Sequence, residues 1–353
     1  MKKKNSMVFV ISSMSRGGAE RVVSILSNYY VRNGWDVTIA MLWHNIVGYE
    51  LDRRIKLINF SNEKISPKKY LPIVISKLTK YFLKTKPDVA ISFIAENSIV
   101  TGIASKIAGV RHITSERIDP NEVKRSFILQ KTINYFYKKC ESVILQTERA
   151  KRFFSKKIQN KAVVIGNPIH VNAFAKEEKR KKIVTAGRLE KQKNHRMLIN
   201  SFAKVSKLYP DYELHIYGEG RLRNELQKQI DEMNLGEKVY LVGNVENIHE
   251  QISDAQMFVL SSDYEGLSNA LLEAMMMGIA CVSTDCAGSD EVIENYENGV
   301  LVPVGDEEKI TKAILKLIED KEMRNKISAN SAKSVERFKT ENIINLWVKV
   351  IEG

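Results

Sequence analysis

The fold is decided by one stretch of sequence, the apolar run Met257-Phe258-Val259-Leu260 followed by Ser261-Ser262-Asp263-Tyr264-Glu265-Gly266-Leu267-Ser268-Asn269-Ala270-Leu271-Leu272-Glu273-Ala274. An apolar run, a short polar loop and an apolar-periodic segment predict a strand, loop and helix of an open α/β sheet. Such sheets bind ligands at the carboxyl ends of their strands, so Glu265 is expected at the mouth of a site. The backbone N–H groups of Gly266, Ser268 and Asn269 are expected to attract an anion such as a diphosphate.

A second carboxylate, Glu273, follows Glu265 by eight positions and lies about one turn inside the predicted helix. Carboxylates accept hydrogen bonds from hydroxyl groups, which a sugar and a ribose both offer. The alternative interpretation is a solvated helix face, the usual environment of two Glu residues at this spacing.

The Glu-x7-Glu pattern of Glu265 and Glu273 resembles that of the retaining glycosyltransferases of family 4, which move a sugar from a nucleotide donor to an acceptor hydroxyl. The resemblance implies an α/β, GT-B fold with two Rossmann-like domains facing across a cleft. It also implies that Glu273 binds the ribose and Glu265 the transferred sugar, and that the pocket near Leu267 and Asn269 selects the sugar.

Two cations in the loop at 187–194, Arg188 and Lys193, resemble the family's pair that lies against the donor diphosphate. Negative charge grows on the diphosphate as the sugar–phosphate bond breaks, and a fixed guanidinium and ammonium stabilise that charge without a metal. The sequence has no Asp-x-Asp motif, so we expect neither a metal nor a cofactor beyond the nucleotide-sugar co-substrate.

Three glycine-containing loops follow other predicted strands. The loop at 13–21 contains Gly17 and Gly18 in the Gly-Gly-Ala-Glu motif that family members carry beside the donor diphosphate or the acceptor. Gly218, and the loop from Val245 to Ile248 where the base would be read, resemble the family's nucleotide-side loops. Ordinary turns of an α/β protein explain these loops equally well, since the full Gly-x-Gly-x-x-Gly pattern is absent.

Polar residues at 115–120 follow the fifth predicted strand. There Arg117 is expected to hold an acceptor phosphate and Glu116 to orient a hydroxyl. Many family members have a histidine at about the position of Arg117. Because this chain has an arginine there, the role of that histidine is not assigned to it. The alternative is a loop salt bridge between Arg117 and Asp119.

Length and composition predict a two-domain globular protein. The chain has 353 residues, of which 44% are hydrophobic and 27% charged. Cys140, Cys281 and Cys286 have neither metal-ligand spacing nor a disulfide framework, which suits a reducing cytoplasm. The basic start at 1–4 leads into an apolar run that is too short for a signal peptide, and no run reaches membrane-spanning length. We therefore expect a soluble or peripheral protein.

Apolar runs alternate with helical patterns along the whole chain, which predicts two doubly wound, mostly parallel sheets. Strands are predicted at 7–12, 37–42, 55–60, 89–93, 112–115, 143–146 and 163–165, then at 183–186, 213–217, 239–242, 257–260, 280–284 and 300–302, with first-half helices at 18–33, 68–85, 97–107, 122–138 and 148–157. The polar segment 172–182 resembles a linker. We expect an N-terminal acceptor-binding domain at 1–170, a nucleotide-sugar domain at 171–334, and a last helix, about 335–353, that packs back on the first domain as in relatives.

Positive charge is concentrated in the first half. Residues 1–170 carry 30 Lys and Arg against 12 Asp and Glu, while residues 171–353 carry 25 against 30. Two segments interleave lysines with apolar residues. Between Lys64 and Lys86 these are Tyr70, Leu71, Ile73, Val74, Leu78, Tyr81 and Phe82 with Lys68, Lys69, Lys77, Lys80 and Lys84, and between Lys124 and Lys139 the apolar residues are Phe127, Ile128, Tyr135, Phe136 and Tyr137. This composition favours an anionic membrane surface, and no nucleic-acid motif is present. The alternative is that both helices pack on the sheet and solvate their lysines.

The combined interpretation is a hexosyltransferase at the inner face of the cell membrane, which is expected to use a UDP-sugar and an acceptor that is linked to polyprenyl diphosphate or is itself a glycan. Two alternatives stay open. A nucleotide-sugar epimerase of the same fold would convert the donor without an acceptor. The second alternative is a non-catalytic basic protein that binds membrane or nucleic acid. This alternative does not explain the paired residues Arg188 and Lys193, or Glu265 and Glu273.

Overall fold

The computed structural model describes residues 5–61 and 67–353 and divides them into two compact units. The first unit comprises residues up to Asn167 together with Ile343–Gly353, and the second comprises Pro168–Asn342. The division therefore falls three residues before the boundary at 170 that the sequence suggested. A second division, between Asn342 and Ile343, falls within the last helix.

The first unit is a seven-stranded parallel sheet with helices on its faces. Its strands are β1 (Ser6–Ile11), β2 (Asp36–Met41), β3 (Lys56–Asn59), β4 (Val89–Phe93), β5 (Arg111–Ser115), β6 (Ser142–Leu145) and β7 (Ala162–Val164), in the order β3-β2-β1-β4-β5-β6-β7. Its helices are α1 (Gly18–Arg32), α2 (Pro67–Thr85), α3 (Ala95–Ala108), α4 (Phe127–Lys139), α5 (Glu148–Arg152) and α6 (Lys156–Gln159).

The second unit repeats this topology with six parallel strands. They are β8 (Arg180–Ala186), β9 (Glu213–Tyr217), β10 (Val239–Gly243), β11 (Ala255–Leu260), β12 (Ala280–Thr284) and β13 (Val300–Val302), in the order β10-β9-β8-β11-β12-β13. The helices are α7 (His195–Leu208), α8 (Arg223–Glu232), α9 (Ile248–Ile252), α10 (Asn269–Met276), α11 (Glu307–Glu319) and α12 (Lys321–Ser334). The last helix, α13 (Thr340–Glu352), begins in the second unit and belongs to the first unit from Ile343 onwards. The prediction of two Rossmann-like α/β sheets is confirmed.

Two predicted first-half helices were wrong in detail. The helix expected at 122–138 begins only at Phe127, because the Ser126 hydroxyl accepts a hydrogen bond from the Leu129 N–H (3.3 Å) and caps the helix there. The segment expected as one helix at 148–157 forms α5 and α6, since Ser155 is extended and starts a new helix.

Helix α2 uses its apolar residues to pack on the sheet. Tyr70, Val74, Leu78 and Phe82 recur every four residues and are buried in a core with residues of β1, β2 and β4. Ile73 and Leu83 on the same helix are 43% and 49% exposed, so the membrane interpretation of this segment stays a prediction. Lys64 and the side chains of Lys68 and Lys69 lie outside the described residues.

Helix α4 also keeps apolar side chains on its surface. Phe127 is 73% and Ile128 77% exposed, and the Lys131 ammonium lies 4.3 Å from the centre of the Phe127 ring. Over the part of the chain that the structure describes, no helix combines the length and apolar character needed to cross a bilayer.

Candidate active site

The site predicted in the second half lies at the carboxyl edge of the second sheet. Strand β8 pairs with β9 on one side and with β11 on the other, so the chain leaves β8 and β11 in opposite directions and opens a crevice between their loops. The loop after β8 carries Arg188 and Lys193, and the loop after β11 carries Glu265.

A cavity of about 280 Å³ lies at this edge. Four predicted site residues, Arg188, Gly218, Val245 and Ile248, contribute to its wall. The other lining residues are Ala186, Gly187, Tyr217, Glu219, Gly243 and Asn244. The loops after β8, β9 and β10 thus surround one space.

Gly218 is required by the close packing of two of these loops. It has φ +129°, and a Cβ atom built on it would lie 2.1 Å from the Gly187 carbonyl oxygen. A Cβ atom on Gly220 would clash in the same way with the Leu189 carbonyl oxygen at 2.4 Å. Both glycines therefore let the β9 loop lie directly against the backbone that carries Arg188.

Lys193 and Glu265 form an ion pair beside the cavity. The Lys193 Nζ donates a hydrogen bond to Glu265 Oε1, and both side chains are largely buried. The Lys193 stem packs over the cavity-lining Gly187, where a built Cβ would lie 3.2 Å from Lys193 Cδ.

The ion pair is held by hydrogen bonds between the loops after β8 and β11. The Asp263 N–H donates to the Gln192 carbonyl (2.8 Å), and the Asn194 side-chain amide donates to Asp263 Oδ1 (2.7 Å). The Ser261 hydroxyl donates to the Lys193 carbonyl (2.9 Å). These bonds fix the backbone on both sides of the pair.

The two oxygens of Glu265 differ in their partners. Oε1 accepts from Lys193 and from the Ser262 hydroxyl (2.7 Å), while among the described residues Oε2 receives only a long contact from Gln192 Nε2 (3.5 Å). Oε2 therefore keeps capacity to accept a further hydrogen bond.

Arg188 is exposed at the cavity wall. Its guanidinium makes no ion pair or hydrogen bond within residues 5–61 and 67–353. Its five N–H donors can thus approach an anion in the cavity.

The segment from Gly266 to Ser268 leads into α10, which begins at Asn269. Ser268 caps this helix, since its hydroxyl accepts from the Leu271 N–H (3.4 Å), and Leu267 and Ser268 are buried. A Cβ on Gly288 would lie 2.4 Å from the Gly266 carbonyl oxygen, so a second loop packs on this segment.

Glu273 faces a histidine that the sequence analysis missed. His249 Nε2 lies 3.5 Å from Glu273 Oε2, and Nδ1 lies 2.6 Å from Asn172 Oδ1. His249 directly follows Ile248, which lines the cavity. The loop predicted to read the base ended at Ile248, one residue before His249. The sequence gives no sign of His249 because only the folded chain brings its imidazole to Glu273.

Gly17 and Gly18 belong to the first unit and lie at the start of α1. Gly17 is the N-cap residue, and its carbonyl accepts from the Tyr49 hydroxyl (2.8 Å). A Cβ on Gly17 would lie 2.4 Å from Glu20 Oε2, so the carboxylate packs against this glycine.

Arg117, also in the first unit, is buried between two aromatic rings. Its guanidinium carbon lies 5.6 Å from the Phe93 ring centre and 5.4 Å from the Trp347 ring centre. Nη1 donates to the Ile165 carbonyl (3.2 Å) and to Asn167 Oδ1 (3.3 Å), while Nε and Nη2 have no partner among the described residues. Burial lowers the pKa of Arg117 to about 9. A role in acceptor binding stays a prediction.

The other polar residues after β5 have internal partners. Glu116 is buried and accepts from Arg125 Nη2 (3.1 Å) and the Tyr137 hydroxyl (3.2 Å). Burial raises the pKa of Glu116 above its ordinary value. Asp119 pairs with Arg149 (3.5 Å), so the alternative of a salt bridge with Arg117 was wrong.

Within the described residues, no group of three or more His, Cys, Asp or Glu side chains is arranged to hold a metal ion. The roles of all the site residues remain predictions. The expectation that no metal is needed also remains a prediction.

Comparison with known proteins agrees with this architecture. The family model described as glycosyl transferases group 1 matches residues 167–334, and the one described as glycosyltransferase family 4 matches residues 16–173. An uncharacterised glycosyltransferase of Methanocaldococcus jannaschii is 30% identical over 86% of this chain and 89% of its own length.

One further relative and one solved structure of the same fold carry more specific names. The N-acetylgalactosamine-N,N'-diacetylbacillosaminyl-diphospho-undecaprenol 4-alpha-N-acetylgalactosaminyltransferase of Campylobacter jejuni is 28% identical over 92% of this chain and 93% of its own. The structure of Anabaena HepE in complex with UDP superimposes with a TM-score of 0.85 at 18% identity, covering 98% of this chain and 99% of HepE.

Three findings indicate the same family: the matched family models, the relatedness along most of the chain and the GT-B topology. The chain therefore belongs to the glycosyltransferases of family 4, with a group 1 glycosyltransferase domain as its second half.

Proposed function

We propose that this glycosyltransferase moves a sugar from a UDP-sugar to a hydroxyl of a lipid-linked glycan, with retention of configuration. The observation that carries the proposal is the meeting of Arg188, Lys193 and Glu265 beside one cavity of the second unit. The site lies where the chain leaves β8 and β11 in opposite directions, which is where such sheets bind ligands. Its two cations suit a diphosphate, and its carboxylate suits hydroxyl groups.

The cations are suited to the departing diphosphate. Lys193 has three N–H donors, of which one goes to Glu265, so two remain for phosphate oxygens. Arg188 offers a planar fork from the cavity wall. Their charges stabilise the negative charge that develops as the bond between the sugar and the phosphate breaks, without an added metal.

Glu265 is suited to binding and poorly suited to covalent catalysis. Its Oε1 is occupied by Lys193 and Ser262, whereas Oε2 has room for a sugar hydroxyl. We therefore propose that the acceptor oxygen bonds to the sugar carbon on the face from which the diphosphate leaves. A phosphate oxygen of the leaving diphosphate takes the acceptor proton, so the configuration is retained.

The uridine nucleotide and the lipid-linked acceptor are supported by relatives. HepE was solved with UDP, and the Campylobacter jejuni relative is named for transfer to a diphospho-undecaprenol saccharide. In our proposal Val245 and Ile248 contact the base, Glu273 binds the ribose and the start of α10 borders the sugar.

We also propose that the protein works at the inner surface of the cell membrane, which it contacts through the start of α4. Phe127 and Ile128 are exposed there, and Lys131 and Tyr135 continue the same helix face. Apolar side chains enter the lipid boundary while lysines meet anionic headgroups, a combination typical of interfacial helices.

The test is a transfer assay with UDP-glucose, UDP-N-acetylglucosamine and UDP-N-acetylgalactosamine and a synthetic polyprenyl-diphosphate saccharide. The proposal predicts an acceptor-dependent product whose anomeric proton coupling matches that of the donor. An inverted product would overturn the mechanism. Conversion of the donor without an acceptor would instead identify an epimerase.

A further inference from the structure

His249 links two parts of the second unit that are distant in sequence. Its Nδ1 lies 2.6 Å from Asn172 Oδ1, in the segment between β7 and β8, and its Nε2 lies 3.5 Å from Glu273 Oε2 on α10. The His249 and Glu273 side chains are only 12% and 14% exposed. The imidazole therefore stands between an amide and a carboxylate with little access to water.

The contacts of His249 constrain where its protons lie. The backbone N–H of Asn172 donates to Nδ1 (3.4 Å), so Nδ1 is an acceptor. The Asn172 side-chain amide is then rotated so that its NH2 group also donates to Nδ1, and the ring carries a proton on Nε2. This tautomer gives Nε2 a proton that faces Glu273.

The His249 Nε2 is buried and has no well-aligned hydrogen-bond partner among the described residues, since the contact with Glu273 is long. A small shift of the carboxylate on ligand binding would shorten this contact. The neighbouring Ile248 lines the cavity, so His249 lies between the wall of the cavity and the acid.

We propose that His249 is a positioning residue for the donor ribose. It holds the Glu273 carboxylate in the orientation that receives the ribose hydroxyls, and Asn172 holds the imidazole. This inference rests on the proposed function, because it requires a nucleotide in the cavity. The inference adds a residue to the site, His249, which contacts Glu273 and does not contact the reacting atoms.

The test compares nucleotides with and without ribose hydroxyls. Binding of UDP, GDP and ADP, and of their 2′,3′-dideoxy forms, is measured by calorimetry for the wild type and for H249L, H249Q and H249N. Gln carries a donor near the position of Nε2, Asn only near that of Nδ1, and Leu carries neither. H215L is the matched control, because His215 also pairs with a glutamate, Glu213 at 2.9 Å, but lies on β9 outside the site.

We expect H249L to weaken binding of the cognate diphosphate about tenfold and to leave binding of its dideoxy form unchanged. H249Q should restore most of the affinity, H249N little, and H215L should match the wild type. In transfer assays the donor KM of H249L should rise about tenfold, while kcat changes less than about threefold.

Equal weakening of both nucleotide forms in H249L would overturn the inference, since His249 would then only shape the cavity. Unchanged binding in H249L would overturn it too, and both results would leave the proposed function standing. If the wild type binds no nucleoside diphosphate, the proposed function fails and the inference fails with it.

Discussion

The Lys193 ammonium donates a hydrogen bond to the Glu265 carboxylate, although the two residues are 72 positions apart in the chain. The contact exists because β8 and β11 are neighbours in the sheet, and the loops that follow them are joined through Asp263 and Asn194. If the two residues have the roles that we propose, a cation that binds phosphate and an acid that binds hydroxyl groups fix each other before any ligand binds, which lowers the reorganisation needed in the reaction.

Replacing Lys193 by Met should lower kcat about 10²- to 10³-fold, because the leaving diphosphate loses a fixed positive charge. It should also lower the free energy of unfolding by up to about 3 kcal/mol, since the largely buried Glu265 loses its ion partner. Adding E265Q should recover stability but not activity. Steady-state kinetics and denaturant unfolding check both effects, with K191A in the same loop as the exposed control. Equal activity losses in K193M and K191A would contradict the account.

Gly218→Ala should lower stability by about 1–3 kcal/mol and weaken nucleotide binding. The added Cβ would lie 2.1 Å from the Gly187 carbonyl oxygen and would push apart the loops that wall the cavity. Gly236→Ala is the control, because a Cβ there meets no heavy atom within 4 Å. Thermal unfolding and UDP titration measure both variants, and a harmless G218A would disprove this packing argument.

Stability should fall as the pH is lowered from about 6.5 towards 4. Burial lowers the pKa of His112 to about 3, and burial followed by the Lys193 charge lowers the pKa of His195 to about 4. In this pH window the unfolded chain binds protons at these imidazoles and the folded chain does not, so acid favours unfolding by up to about 1.4 kcal/mol per pH unit for each histidine.

The variant H112Q tests this pH dependence, because Gln places its amide near the position of Nε2 and can keep a hydrogen bond to Ser92, whose hydroxyl lies 2.8 Å from His112 Nε2. Its thermal midpoint, followed by calorimetry from pH 7.5 to 4.5, should decline less steeply than that of the wild type. Parallel declines would show that His112 does not contribute, whatever the absolute stability of the variant.

The double variant F127S/I128S should lose most of its binding to vesicles that contain anionic lipid, because it removes the two exposed apolar side chains at the start of α4. Vesicle flotation measures the bound fraction. I107S removes another exposed apolar side chain of the first unit, on α3, and should bind like the wild type. Unchanged binding of the double variant would refute the membrane contact at α4.

The sheets were predictable because their strands are short apolar runs bounded by polar loops. Strands β4, β9, β12 and β13 have the predicted bounds, and the other strands differ by no more than three residues at either end. Helix α4 was placed too early because the capping effect of Ser126 competes with that of the polar residues before it.

The contacts of the site were less predictable than its residue types. The sequence singled out Arg188, Lys193, Glu265 and Glu273, but it gave no reason to pair Lys193 with Glu265 or to expect Trp347 on Arg117. Such contacts join residues that only the tertiary fold brings together. A histidine after a strand, such as His249, has no distinguishing pattern until its neighbours are known.

The central claim is that the cavity at the carboxyl edge of the second sheet binds the nucleotide part of the donor. A crystal structure of the protein with UDP tests it most directly. The account predicts the diphosphate within hydrogen-bonding distance of Arg188 and Lys193 and the ribose on Glu273. UDP bound instead in the larger cavity lined by His215 and Tyr240, or a diphosphate that touches neither cation, would contradict it.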